Sequence, residues 1–92
     1  MEVARRFSEN LRRHRKAADI SQEELGLRCS LHRTEIGLLE RGARVPRIDT
    51  LIKIASAMKI PPAELIEGIT WAPGNTVSGA FQIAAKGDPQ SN

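Results

Sequence analysis

Ninety-two residues, 40% of them hydrophobic, suffice for one small domain with a modest core. No apolar run approaches the ~18 residues of a membrane span, and the opening MEVARRFSEN has no apolar stretch after its charges, so neither a membrane helix nor a signal peptide is expected. The formal charge of +3 is unevenly spread: residues 1–47 carry a net +4 and residues 48–92 a net −1, which puts a moderate basic excess in the first half, suited to an anionic partner but also to an ordinary solvated surface.

Val3, Phe7, Leu11 and Ala18 fall on one face of a helix over about 3–18, whose other face carries Arg5, Arg6, Arg12, Arg13 and Lys16. Asp19-Ile20 breaks that pattern. Ser21 then reads as an N-cap with Glu24 completing a capping box, so a second helix is predicted over about 22–29, burying Leu25 and Cys29. Ser30-Leu31 is a turn. A third helix follows over about 32–41, with Ile36 and Leu39 inward and Gly42 as its stop. Two short helices joined by a tight turn, the second opening on polar residues, can set one helix in the major groove of DNA.

Ala43-Arg44-Val45-Pro46 is a loop, and a fourth helix is predicted over about 47–58 with Ile48, Leu51, Ile52, Ala55 and Met58 inward. Pro61-Pro62 permits only a helix start, and Ala63 to Glu67 is read as a short fifth helix. The last 25 residues change character: four glycines and two prolines replace the helical pattern. Ile69 and Trp71 share one parity, as do Val77, Phe81 and Ile83, with the turn signal Pro73-Gly74-Asn75 between the two runs. Two short strands, or one strand after an ordered loop, are expected there, with a disordered end at Lys86 to Asn92. The expected fold is all-α: a five-helix unit over 1–68, with a C-terminal extension over 69–92.

Catalysis finds no support. Gly37, Gly42 and Gly68 are scattered rather than forming a phosphate loop. Cys29 and His32 lack a third group, and His14, His32 and one cysteine make no metal set, so no metal or cofactor is expected. A lone cysteine cannot form an internal disulfide, which fits a reducing cytoplasm. RNA stacking is disfavoured by the absence of Tyr and by only two Phe and one Trp.

Residues from about 7 to 67 resemble the helix-turn-helix family of phage repressors, Cro proteins and their bacterial relatives, the XRE type. The likeness rests on Ser21-Gln22-Glu23-Glu24-Leu25, Ile36, Leu39-Glu40-Arg41-Gly42, Pro46, Asp49-Thr50-Leu51, Ala55 and Glu64-Leu65, in order and in spacing. It implies a cytoplasmic, nucleoid-associated bacterial or phage transcription regulator, acting as a homodimer on a palindromic operator; small size favours repression, since a small protein over a promoter blocks polymerase by occupancy alone.

By the same resemblance the third helix is the recognition helix. Its base readers are His32, Arg33, Thr34 and Leu38, with Arg33 able to grip guanine O6 and N7. His32 also suits an N-cap, and Leu38 stands where relatives carry a polar reader. Phosphates are assigned to Gln22 at the start of the second helix, where free backbone N–H groups favour an anion, and to Arg41, Arg44 and Arg47 around the following loop. Glu35 is anomalous beside phosphate unless a cytosine amino group or an arginine meets it. Arg15 and Glu40 match an ion pair tying the first helix to the third. The chain departs from the family pattern at Ser30, where relatives place glycine, at Gly26 in place of alanine, and at Arg47 in place of a Ser/Thr cap.

Three readings of the extension stay open. Its strand over 77–85 has an edge that a second copy could pair, with Trp71, Val77, Phe81 and Ile83 as anchors. Alternatively it packs on its own helices, or docks a protein partner. The rival function is a protein-interaction module or antitoxin-like adaptor on the same fold.

Overall fold

A computed structural model describes residues 2–84. Four α-helices, α1 (Glu2–Ala17), α2 (Gln22–Cys29), α3 (Arg33–Glu40) and α4 (Ile48–Ala57), are followed by a 3₁₀ turn (Pro62–Ile66) and two strands, β1 (Ile69–Pro73) and β2 (Gly79–Ile83). The expected fifth helix is therefore a single 3₁₀ turn, held by the Glu64 N–H to Pro61 carbonyl bond at 3.0 Å. Pro61 and Pro62 lack N–H groups and Gly68 turns the chain at φ +85°, which leaves too few residues for an α-helical ladder.

Phe7, Leu11, Leu25, Ile36, Leu39, Ile54 and Leu65 are fully buried and draw all four helices and the 3₁₀ turn onto one core. Each such side chain contributes ~1.5–3 kcal/mol by leaving water. α1 begins one residue earlier than expected and stops at Ala17, so Ala18 lies beyond it and is exposed, while Ala4 takes an inner position. On α4 the buried set is Leu51, Ile54 and Ala55, with Met58 buried just past its end, and Ile48 and Ile52, expected inward, are 74% and 50% exposed. Isoleucine at 48, 52 and 54 widens the apolar arc beyond one stripe, so periodicity alone admitted the wrong edge.

Two polar residues inside the fold reach distant backbone. Asn10 is fully buried at the position i+3 from Phe7, and its Nδ2 donates to the carbonyls of Leu65 (3.1 Å) and Glu67 (3.0 Å). It pins α1 to the chain leaving the 3₁₀ turn. Arg6, expected on the solvent face, is buried, and its guanidinium donates to the Ala84 carbonyl at the end of β2.

The strands pair antiparallel, with Ile69 opposite Ile83, Trp71 opposite Phe81 and Pro73 opposite Gly79. Val77, expected in the strand, sits in the connecting loop and is 91% exposed. The loop closes through the Asn75 side-chain carbonyl accepting from the Val77 N–H at 2.9 Å, the local bond that Asx residues favour. The base of the hairpin is tied down by the Arg6 bond and by the Ala84 N–H to Gly68 carbonyl at 2.8 Å. Ala85 and the expected disordered end at Lys86 to Asn92 lie outside the described residues.

Candidate nucleic-acid interface

The α2–α3 corner is set by short-range chemistry. Ser21 Oγ accepts from the Glu24 N–H at 2.9 Å, and the Glu24 carboxylate pairs with Arg28 at 2.8 Å instead of reaching back to close a capping box. α2 ends on Ser30 in the left-handed region (φ 58°, ψ 40°), and the Leu31 N–H then bonds the Gly26 carbonyl at 2.8 Å. A serine there costs about 1–2 kcal/mol of backbone strain that glycine would avoid. His32 caps α3: its Nδ1 accepts from the Thr34 N–H at 3.0 Å.

Gly26 explains how tightly the corner closes. A Cβ at Gly26 would lie 2.6 Å from the Leu31 carbonyl oxygen, a backbone atom that cannot rotate away. Gly26→Ala is expected to lower the melting temperature: overpacking costs about 1–3 kcal/mol, against about 1 kcal/mol gained from alanine in a helix. A thermal melt with an unchanged or higher midpoint would show that the corner can open to admit the methyl group.

This corner presents a polar surface. Arg33 and Thr34 are exposed in the first turn of α3, and Leu38 is half-buried one turn on. Gln22 and Arg41 flank Gly37 at the middle of the helix, with Gln22 Oε1 at 3.9 Å and Arg41 Nη1 at 3.2 Å from where a Gly37 Cβ would stand. Arg44, in the loop after α3, reaches back so that its Nη1 donates to Glu35 Oε1 at 3.3 Å. Arg47 is more exposed than Arg44, with a loose Asp49 contact at 3.5 Å, and as an N-cap it offers α4 no side-chain acceptor.

Behind this surface sits a buried ionic hub. Glu40 receives Arg15 through Nε (2.5 Å) and Nη2 (2.9 Å), and Gln22 through Nε2 (3.1 Å). Arg15 Nη1 donates onward to the Ile20 carbonyl at 2.8 Å, and Arg12 donates to the Glu40 backbone carbonyl. The hydrogen bond to Glu40 raises the Arg15 guanidinium pKa above its ordinary value, against the opposing effect of burial. The hub locks α1 to the end of α3 and to the first residue of α2, and so fixes how α3 sits against the two helices before it. Arg12 and Asn10 were not singled out from sequence; Asn10 on the Phe7 stripe and Arg12 one turn before Arg15 were the available signals.

Burial raises the Cys29 thiol pKa, with the Lys53 charge opposing. Its labelling by iodoacetamide is expected to be slower in the native protein than in urea, since burial shields the thiol and the thiolate is the reactive form. Equal rates would mean that α2 opens freely. Among the described residues, no group of three or more His, Cys, Asp or Glu is placed to hold a metal, and no helix is long and apolar enough to cross a membrane.

The helix-turn-helix family profile matches residues 11–65. The chain belongs to the helix-turn-helix family. It is a DNA-binding transcription regulator of the XRE type. It is 37% identical over 65 residues to Control protein C.BamHI of Bacillus amyloliquefaciens, covering 70% of this chain and 80% of that one. It is 36% identical over 66 residues to Control protein C.SmaI of Serratia marcescens, covering 72% and 79%. Among solved structures it is similar to the restriction-modification controller protein C.AhdI of Aeromonas hydrophila, with a TM-score of 0.69 and 35% identity over 71% of this chain and 98% of that one. The family match ends before the hairpin, which begins at Ile69.

Proposed function

We propose that this regulator binds double-stranded DNA as a homodimer, reads a palindromic operator through α3 and represses by occupying the promoter. The observation that carries this reading is the α2–α3 corner, which leaves Arg33 and Thr34 exposed at the leading end of α3, with Gln22 and Arg41 beside Gly37 and Arg44 against Glu35 further along the same helix. In this reading Arg33, Thr34 and Leu38 meet base edges. His32 lies beside them with Nδ1 engaged by the cap, and Gln22, Arg41, Arg44 and Arg47 meet phosphates. One α3 spans only a few base pairs, and two-fold pairing doubles the site. The restriction-modification controllers among its relatives support a controller role in the cytoplasm, at the nucleoid, and the work is binding rather than catalysis.

Residues 1–68 form the DNA-binding unit and 69–92 an extension that supplies pairing. Trp71 and Phe81 stack edge-to-face with ring centroids 5.1 Å apart, yet are 55% and 52% exposed. Ile83 and Val77 extend this apolar side. An aromatic pair left half in water on one face of the hairpin suits a second copy of the chain.

Selection of bound duplexes from a random pool tests the reading, with sedimentation of the full chain beside it. A two-fold symmetric motif and twice the chain mass are expected, with Trp71→Ser/Phe81→Ser shifting the mass to that of one chain. No enriched motif would turn the assignment toward a protein-binding adaptor. A dimer untouched by the double substitution would move the interface off the hairpin.

A further inference from the structure

The recognition helix carries one acidic residue in its first turn, Glu35, and an anion there is unexplained by a phosphate-binding role. It is favourable for the helix itself, since a carboxylate suits the positive end of the helix dipole, but serine or alanine would serve a soluble helix as well without repelling DNA. The structure gives Glu35 a partner: its Oε1 accepts from Arg44 Nη1 at 3.3 Å, across nine residues of chain. Both groups are accessible, with side chains 29% and 54% exposed, so the contact contributes little to folding. A guanidinium has five N–H donors in a rigid fork, and this contact uses only one nitrogen. The remaining donors of Arg44 are left for a second acceptor.

We infer that Glu35 is a specificity-determining positioning residue, which clamps Arg44 by one nitrogen so that its free donors meet a single phosphate only when α3 lies in its correct register. This rests on the operator-binding reading above. An unclamped Arg44, on a loop and carrying a long flexible stem, could follow whichever phosphate came near. Such freedom favours generic duplex, where contacts are electrostatic and register is immaterial. The clamp narrows that freedom. On random DNA it withdraws part of one positive charge and adds a carboxylate that phosphates repel. On the operator it presents a guanidinium already oriented, with less side-chain entropy lost on binding. Discrimination is the difference between these two effects.

The experiment compares the full-length protein with Glu35→Gln, Arg44→Ala and the double variant. Each is titrated against the duplex recovered by selection and against a random-sequence duplex, over a range of salt. Glu35→Gln is expected to raise affinity for random duplex by roughly five-fold, the scale of one exposed ion pair. It should steepen the salt dependence on that duplex by about 0.9 in log–log slope, the value of one additional phosphate contact. The operator-to-random ratio should fall. In the Arg44→Ala background Glu35→Gln should leave the ratio unchanged, because screening alone acts on both duplexes alike. A ratio that Glu35→Gln does not move, or moves equally without Arg44, overturns the inference: the first makes Glu35 a plain screening charge, the second a direct base reader. A wild-type ratio of one is a different failure, because it removes operator recognition itself. Melting temperatures separate these outcomes from misfolding and should be nearly constant across the set.

Discussion

Arg15→Ala is expected to destabilise the protein by about 3–5 kcal/mol, the scale seen when one partner of a buried ion pair is removed. That is a large part of the ~5–15 kcal/mol that holds a small domain folded. The Glu40 side chain is 3% exposed, and Arg15 supplies two of the three hydrogen bonds that its carboxylate receives, leaving only Gln22 after truncation. The Ile20 carbonyl also loses its donor. Arg15→Lys should recover little, because a point charge cannot serve Nε, Nη1 and Nη2 directions at once. Replacing both residues with apolar ones of similar volume should cost far less than removing Arg15 alone, since no charge is then stranded. Urea unfolding measures all three. A loss below about 1 kcal/mol for Arg15→Ala would mean that water reaches Glu40 and screens it as at a surface.

The same pair makes a statement about pH. The folded-state pKa of Arg15 is raised by its bond to Glu40. A raised folded pKa gives stability that is fully present below the unfolded value and lost only as pH rises through the folded one. For a guanidinium that window lies beyond the range in which the protein is handled. Unfolding free energy measured between neutral and mildly alkaline pH should therefore owe no slope to Arg15.

The parts of the molecule that could be read from sequence are those decided within a few residues. The α2–α3 corner is the clearest: the Ser21 cap, the apolar Leu25, Cys29, Ile36 and Leu39, and the Gly42 stop act over one or two turns, and the structure has them in place. α4 shows the limit of periodicity. Its isoleucines at 48, 52 and 54 allow more than one stripe, and only the direction of the neighbouring helices selects the one containing Ile54. The stretch after Pro62 failed for a different reason: apolar residues were present, but two prolines and Gly68 left too few backbone donors and residues for a helix.

Polar partners separated by long stretches of chain were beyond local reasoning. Asn10 bonds carbonyls 55 and 57 residues away, and Arg6 bonds one 78 residues away. Arg6 looks, from its own helix, like one more polar residue for the solvent face, and Asn10, though on the apolar stripe of Phe7, shows nothing of which carbonyls it meets. Arg15 with Glu40 was accessible only because the family pattern carries both positions. Glu35 was recognisable as a misfit from its charge alone, but its arginine partner across the loop could be identified only in three dimensions.

Arg33→Ala is expected to separate recognition from stability, with effects of opposite sign. Arg33 is the first residue of α3 and is exposed. A cation at that end of a helix opposes the dipole by about 0.3–1 kcal/mol, so its removal should leave the melting temperature level or slightly higher. On the selected operator, losing a bidentate guanine contact costs ~1–3 kcal/mol of discrimination in each half-site, or ~2–6 kcal/mol for a symmetric pair. Selection repeated with the variant should return a motif in which one guanine per half-site has become degenerate. Binding to random duplex should keep its salt slope, because a base contact releases no phosphate counterion. A uniform loss on every duplex together with a shallower slope would make Arg33 a phosphate ligand and transfer base reading to Thr34 and Leu38.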